Sequence, residues 1–293
     1  MRRWKKGCLA VGASLVMGLG VVYWSARPAS PVPWFDHAPR PLLLAHQGGE
    51  CEWPSNTLEA FRQARRVGSD VLDMDVHLSS DGVLVLMHDT TVDRTTDGRG
   101  AIRDLSWQQL QKLDAGYRFS QDGRTFPYRG KGLRIPRLED ILRAFPDMRL
   151  GIEMKQAPLE AAGHLARLLK QSGAESRVLL SCFDGQMMGA MRQLCPTVAT
   201  SATPWEVRGF VLASTLHLED LVSPRYCALQ IPLEHSGLTL VSPRTVEAAH
   251  RRGVKVIPWT IDTLAEAEIC RQAGCDGLNT NWPGRMEPLR SGW

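Results

Sequence analysis

No two of the seven cysteines stand in a Cys-x-x-Cys pair, and Cys270 and Cys275 have no second pair to complete a tetrahedral set, which argues against a structural zinc site. An odd count cannot all pair. A bridge such as Cys182–Cys195 is open to an oxidising exterior, but scattered buried thiols are the expectation. A basic excess is also missing outside the first residues. Arg2, Arg3, Lys5, Lys6 and Arg27 are the cations of residues 1–34, which hold no acid, and the remaining chain carries 30 basic against 31 acidic side chains. That balance implies no basic nucleic-acid-binding face. From Leu42 onward there is neither a low-complexity tract nor an internal repeat. A composition of 43% hydrophobic and 23% charged residues excludes wholesale disorder, a collagen-like chain and a coiled coil. The 293 residues allow two small domains or one large one. Barrels of alternating strands and helices use about 250 residues as a single domain.

The N-terminus has its own pattern. Met1–Lys6 is cationic, and Gly7 to Ser25 is uncharged and rich in Val, Leu, Ala and Gly. At about 1.5 Å per residue this run matches the thickness of a hydrocarbon core. The expectation is a single membrane-spanning anchor over residues 1–26, with a cytoplasmic N-terminus and the remainder on the outer, periplasmic or extracellular side. A cleaved signal peptide is the rival, but Trp24-Ser25-Ala26 puts a bulky residue where a small one is preferred. Five prolines within Ala26–Pro41 mark residues 27–40 as a linker, which leaves residues 41–293 as one domain.

Short apolar runs then alternate with helical patterns. Strands are expected at Leu42–His46, Val71–Val76, Val83–His88, Leu150–Met154 and Val178–Cys182, then near Val198, at Ala228–Ile231, Val254–Trp259 and Gly277–Asn279. Helices are expected at Thr57–Val67, Leu138–Phe145, Leu159–Gln171, Gly185–Leu194, Pro243–Arg252 and Thr263–Ala273. Continuous apolar strands alternating with helices indicate a parallel sheet buried on both faces. About eight such units favour a closed TIM (β/α)8 barrel, whose chemistry sits at the C-terminal ends of the strands. Asp104–Arg137 breaks the rhythm and is expected as an inserted loop region over that mouth. Its Trp107, Tyr117, Phe119, Phe126 and Tyr128 read either as an acyl-chain surface or as packing that pins the loop down.

The polar residues fall at those strand ends. His46 ends the first strand, Asp73 and Asp75 the second, His88-Asp89 the third, Glu153 and Lys155 the fourth, and Trp259-Thr260 a late one. Side chains alternate along a strand, so Asp73 and Asp75 share a face, as do Glu153 and Lys155. Paired carboxylates repel unless a cation is present. Three hard oxygen donors around one cavity suit Mg²⁺ or Ca²⁺. Asp81-Gly82, taken as a two-residue turn, pairs Ser80 with Val83 and sets Asp75 opposite His88 on an antiparallel hairpin. Two histidines converging with three carboxylates read as an acid/base centre. His77, His164, His217, His235 and His250 lack that company and read as surface or packing residues. Asp89 either orients His88 or caps a turn, and Asp93-Arg94 reads as turn chemistry with a surface ion pair.

These stretches in order resemble a known family. Leu-Ala-His46-Gln47-Gly48-Gly49, Trp53-Pro-Ser-Asn56-Thr57, Leu-Asp73-Met-Asp75, Met-His88-Asp89, Ile152-Glu153-Met-Lys155, Pro258-Trp259-Thr260 and Asp276-Gly277-Leu-Asn-Thr280-Asn281 together are similar to the glycerophosphodiester phosphodiesterases, over nearly all of residues 41–284. The resemblance implies a TIM barrel hydrolysing a phosphodiester to glycerol 3-phosphate and an alcohol with one divalent cation. It extends to a membrane-tethered branch acting on lysophospholipids, to lysophosphatidic acid. His46 and His88 would be the acid/base pair, Asp73, Asp75 and Glu153 would hold the metal, and Gln47, Lys155 and Trp259 would meet substrate. An internal attack by the glycerol 2-hydroxyl through a cyclic phosphate is also implied. Gln47 stands where the family usually has Arg, Ser55 where it has Glu, Asp73 where it has Glu, and Asn281 where Asp is common. Loss of Arg and Glu together reads as one coupled variation, since losing either alone would strand a buried charge. Two other classes stay open: a phospholipase C-like barrel releasing a diglyceride, and a membrane-held phosphodiester-binding module without activity.

Overall fold

Runs of Val, Leu and Ile too short for helices become the staves of a barrel in the computed structural model, which describes residues 25–155 and 158–293. The strands are β1 (Leu42–His46), β2 (Val71–Leu78), β3 (Leu84–Leu86), β4 (Arg149–Met154), β5 (Val178–Ser181), β6 (Ala199–Thr200), β7 (Ala228–Leu229), the small hairpin β8 (Glu234–His235) and β9 (Leu238–Thr239), β10 (Lys255–Val256) and β11 (Gly277–Thr280). Parallel pairing runs β11–β1–β2–β4–β5–β6 and, separately, β7–β10. Backbone hydrogen bonds join the two arcs. Cys227 N–H donates to the Thr200 carbonyl at 2.9 Å and Ala202 N–H to that of Ala228 at 2.9 Å. On the other side Asp276 N–H donates to Val256 at 2.9 Å and Asn279 N–H to Pro258 at 2.9 Å. Eight parallel staves thus close into a ring, the TIM-barrel architecture expected from the alternating pattern.

Helices cover the outside: α1 (Leu58–Arg66), the short α2 (Trp107–Leu110), α3 (Leu138–Ala144), α4 (Glu160–Gln171), α5 (Gly185–Leu194), α6 (Pro204–Thr215), α7 (Pro243–Arg251), α8 (Leu264–Ala273) and α9 (Pro283–Met286). Their starts are set by side-chain caps: Thr57 accepts from Ala60 N–H, Asp184 from Met187 N–H, and Thr263 shares a capping box with Glu266. The outward strand residues Leu72, Met74, Val76, Leu150 and Ile152 pack on α1, α3 and α4 in one apolar cluster. Inward residues of the opposite parity make the lower barrel core from Leu42, Leu44, Val71, Leu179 and Ala228. Trp34 closes that core from below, 1% exposed, with Nε1 donating to the Leu150 carbonyl at 3.3 Å. Arg149 donates back to the Trp34 carbonyl at 2.8 Å, so part of the stretch expected as linker is a plug built into the fold.

Three expectations are corrected. The single-pass reading is not upheld: among the described residues no helix is long and apolar enough to cross a membrane, and the anchor segment itself, through residue 24, lies outside those described. The outer-side location inferred from it falls with it. Second, the hairpin after β2 is antiparallel but turns through three residues. Ser79 N–H donates to the Val83 carbonyl at 2.9 Å, with Gly82 in the left-handed region at φ 80°. Val76 therefore faces Leu86, and Asp75 faces Met87 rather than His88. The third is the missed helix α6, whose Trp205 and Leu212 remain exposed and blur the apolar period.

Candidate active site

Parity carries the barrel's interior face from apolar to polar as the strands rise. On β1 it runs Leu42, Leu44, His46; on β2 Val71, Asp73, Asp75; on β4 Gly151, Glu153; on β11 Gly277, Asn279 and then Asn281. Register places them side by side: His46 beside Asp73, Asp73 beside Gly151, Asp75 beside Glu153, and Glu153 beside Ser181. The structure brings together His46, Asp73, Asp75, Glu153 and Lys155 in the upper half of the barrel.

Lys155 Nζ lies 2.8 Å from Glu153 Oε1 and 3.1 Å from Asp75 Oδ1. Asp75 is 3% exposed; it accepts from Asn56 Nδ2 at 2.9 Å, and its own N–H donates to Asn56 Oδ1 at 3.2 Å. Gln47 is 2% exposed and lies on the same amide, its Oε1 3.4 Å from Asn56 Nδ2. Its backbone carbonyl also accepts from Asn56 N–H at 2.8 Å, which sets position 47 beside the segment of Ser55. Asp73 is held from the other side, where Asn279 Nδ2 donates to Oδ2 at 2.8 Å. Gly151 leaves room for it, since a Cβ there would overlap Asp73 Oδ1.

Charge in this cluster is unbalanced. Burial pushes the Asp73 carboxyl above the ordinary carboxylate range, with His46 and the Asn279 amide opposing it and Asp75 adding to it. Burial pushes Glu153 up as well, and Lys155 only partly offsets it. Burial pulls the Lys155 ammonium down, yet Asp75 and Glu153 outweigh it and hold the charge on. Three carboxylates thus share one ammonium, and the shortfall is met by a proton or by a second cation. The donors fit a hard divalent cation in charge and chemistry, and Asn279 Oδ1 adds a buried oxygen without a hydrogen-bond partner. Among the described residues no three His, Cys, Asp or Glu side chains converge as a cation cage, because Lys155 stands between Asp75 and Glu153 while Asn279 holds Asp73 aside.

Each histidine is tied at one ring nitrogen. His46 Nδ1 is 2.6 Å from Asn281 Oδ1, and Asn281 Nδ2 donates to Asp262 Oδ2 at 2.7 Å. His88 Nδ1 is 2.9 Å from Asp89 Oδ1, while Arg94 clamps that carboxylate through Nε at 2.7 Å and Nη2 at 3.0 Å. Arg94 thereby holds Asp89 down at about 2, with His88 adding to it. Asp89 therefore orients His88, and Arg94 pairs with Asp89; Asp93 serves the turn by accepting from Gly100 N–H at 2.9 Å. His77 Nε2 lies 3.2 Å from the His88 carbonyl, a packing histidine that steadies the same loop. Trp259 meets Phe183 edge to face at the mouth, ring centroids 6.3 Å apart, and Phe183 is 62% exposed. In the insertion Phe119 packs on Tyr128 and Arg129 lies 4.2 Å from the Tyr117 ring and 4.0 Å from Phe126, the packing alternative for these aromatics. The sequence does not assign these roles to Asn56, Asn279, Asp262 and Arg94: Asn56 and Asn279 lie inside the family-like stretches, Arg94 reads as half of a surface ion pair, and Asp262, in the loop after β10, carries no signature of its own. The described cysteines are free thiols, and Cys8 lies outside the described residues.

Comparison with known proteins identifies the family of the barrel. The model of the "Glycerophosphoryl diester phosphodiesterase family" matches residues 46–285. A glycerophosphodiester phosphodiesterase of Caldanaerobacter subterraneus subsp. tengcongensis is 32% identical over 249 residues, covering 83% of this chain and 94% of the relative. One from Bacillus subtilis is 25% identical over 299 residues, covering 96% and 98%. Among solved structures, the glycerophosphoryl diester phosphodiesterase domain of a Mycobacterium tuberculosis protein superposes with a TM-score of 0.78 at 24% identity, covering 86% of this chain and 99% of that domain. An Oleispira antarctica phosphodiesterase, solved with the product sn-glycerol-3-phosphate, superposes with a TM-score of 0.69 at 25% identity, covering 86% and 97%. With the barrel in place, the family model spanning most of the chain and a relative 32% identical over 83% of it, this chain belongs to the glycerophosphoryl diester phosphodiesterase family and is a phosphoric diester hydrolase.

Proposed function

We propose that residues 41–293 hydrolyse glycerophosphodiesters, lysophospholipids included, releasing an alcohol such as choline and glycerol 3-phosphate or lysophosphatidic acid. The observation that carries this reading is a pair of imidazoles each anchored through Nδ1, His46 at a strand end beside three carboxylates and one ammonium and His88 two residues past the end of β3. His46 and His88 move the protons, one taking a proton from the attacking hydroxyl and the other giving one to the leaving alcohol. Asp73, Asp75 and Glu153 would hold one divalent cation, Mg²⁺ or Ca²⁺, which would supply positive charge to the phosphate and favour ionisation of an attacking hydroxyl. Lys155 supplies a fixed charge to a phosphate oxygen, and Gln47 presents a neutral amide beside it. Trp259 and Phe183 form the wall on which the leaving alcohol rests.

The test uses the full chain in EDTA-stripped buffer, with Mg²⁺ or Ca²⁺ added back and glycerophosphocholine and lysophosphatidylcholine offered separately. Cation-dependent release of free choline is expected, and it is expected to vanish in both His46→Ala and His88→Ala. A diglyceride product from phosphatidylcholine, or full activity in either histidine variant, overturns the reading.

A further inference from the structure

We infer that Asp262 and Asn281 are a positioning pair that fixes the tautomer of His46, with the proton on Nδ1 and the lone pair on Nε2. Donors and acceptors at three side chains decide the tautomer. The Asp262 carboxylate is already an acceptor twice over on β11: its Oδ1 takes the Asn281 backbone N–H at 2.8 Å and the Thr280 hydroxyl at 3.2 Å. Its Oδ2 stands 2.7 Å from the Asn281 amide. A carboxylate only accepts, so the NH₂ end of the Asn281 side chain must face it, and the amide cannot be flipped. The oxygen end then faces His46 Nδ1 at 2.6 Å and can only accept in turn, which requires Nδ1 to carry hydrogen. Glu50, the other group near that nitrogen, has Oε1 at 3.8 Å and is an acceptor as well. In the neutral ring the free lone pair therefore belongs to Nε2, on the edge turned away from Asn281.

The relay links three neighbouring staves: the loop after β10 supplies Asp262, the end of β11 supplies Asn281 and the end of β1 supplies His46. It differs from the arrangement at His88, where the carboxylate of Asp89 touches the imidazole directly. At His46 the negative charge is one amide removed, so orientation is imposed without an anion on the ring. The consequence for turnover rests on the functional reading above; the tautomer itself does not.

The test has two arms. In the full chain labelled with ¹⁵N-histidine, two-bond ring correlation spectra read the tautomer, with His46 assigned by the signals lost in His46→Gln. A pyrrole-type Nδ1 with a pyridine-type Nε2 is expected, and the reverse pattern overturns the inference without any need for an active or stable variant. In the kinetic arm, Asn281→Ala and Asp262→Ala each lower kcat by about 10- to 100-fold with little change in KM, and the double variant is no worse than the weaker single. Asn281→Asp alone sets two carboxylates face to face and is expected to lose activity. The swap Asn281→Asp with Asp262→Asn restores the order of donor and acceptor and recovers most of it. Additive losses, or a swap no better than Asn281→Asp, overturn the inference. Wild-type chain that releases no choline while showing the expected tautomer would instead count against the functional reading.

Discussion

Replacing Gly151 by alanine presses on Asp73 alone. The two residues are register partners on β2 and β4, and both point into the barrel. A Cβ at position 151 would overlap Asp73 Oδ1 and stand 3.2 Å from its Cγ, with the Asp73 Cα next at 3.6 Å. Gly151 lies within a regular strand, so alanine meets no backbone penalty there, and the carboxylate has to move by on the order of 1 Å. Turning away costs Asp73 its 2.8 Å contact from Asn279. A displacement of that size at a reacting centre lowers rate by about 100-fold, or about 2.7 kcal/mol. Steady-state choline release should therefore fall about 100-fold in kcat/KM for Gly151→Ala, with the cation concentration for half-maximal activity raised. Gly189→Ala is the control: it sits exposed in the middle of α5 with nothing within 4 Å of its new Cβ. That variant should gain about 0.5–1 kcal/mol of stability and keep full activity. Unchanged activity in Gly151→Ala would refute the placement of Asp73 in the reacting centre.

Four further outcomes follow from other parts of the molecule. Trp34→Ala empties the plug beneath the barrel and should cost about 3–5 kcal/mol in urea unfolding while leaving kcat unchanged, since the plug is at the end away from the mouth. Asp276 is buried; burial pushes its carboxyl up, but His250 at 2.7 Å, the Val256 N–H at 2.9 Å and Lys255 at 3.1 Å outweigh that and hold it below the ordinary range. A carboxyl depressed in the fold adds stability above its unfolded value of about 3.9 and loses it as pH falls through the folded value, so Asp276→Asn should flatten the acid arm of a melting-temperature profile. Asp89→Asn loosens His88 and should lower kcat by about 10- to 100-fold at saturating substrate. Phe183→Ala removes the partner of Trp259 and should raise KM by about 2- to 10-fold, the worth of one aromatic pair, with kcat nearly unchanged.

His46, Asp73, Asp75, Glu153 and Lys155 were legible because each closes an apolar strand, and a charged residue at that place is hard to explain by packing. Parity then put them on the inner face before any contact was known. The Asp75–His88 pairing was not legible. Ser80-Asp81-Gly82 supports a two- or a three-residue turn, and the left-handed φ of Gly82 selects the longer one, which slips the ladder by one residue. Nor were Asn279 and Asn281 assigned as braces, for an asparagine near a strand end reads equally as turn chemistry. Their partners lie 206 and 235 residues away. Helix α6 escaped because Pro204–Thr215 is apolar on more than one side, leaving Trp205 and Leu212 in solvent where a polar face was sought.

The last strand closes the barrel on the first, and with it come the amides that hold Asp73 and His46. A chain still on the ribosome and not yet extended past Gly277 already contains both histidines and all three carboxylates, but neither brace. Nor does it have the stave that would keep β1 from being a bare edge. Activity is therefore acquired only once β11 has emerged and paired with β1, which keeps a nascent chain that stops short of it from acting on phosphodiesters. The same dependence makes proteolytic loss of residues 277–293 a complete inactivation rather than a trimming, although none of the acid/base or carboxylate residues would be removed.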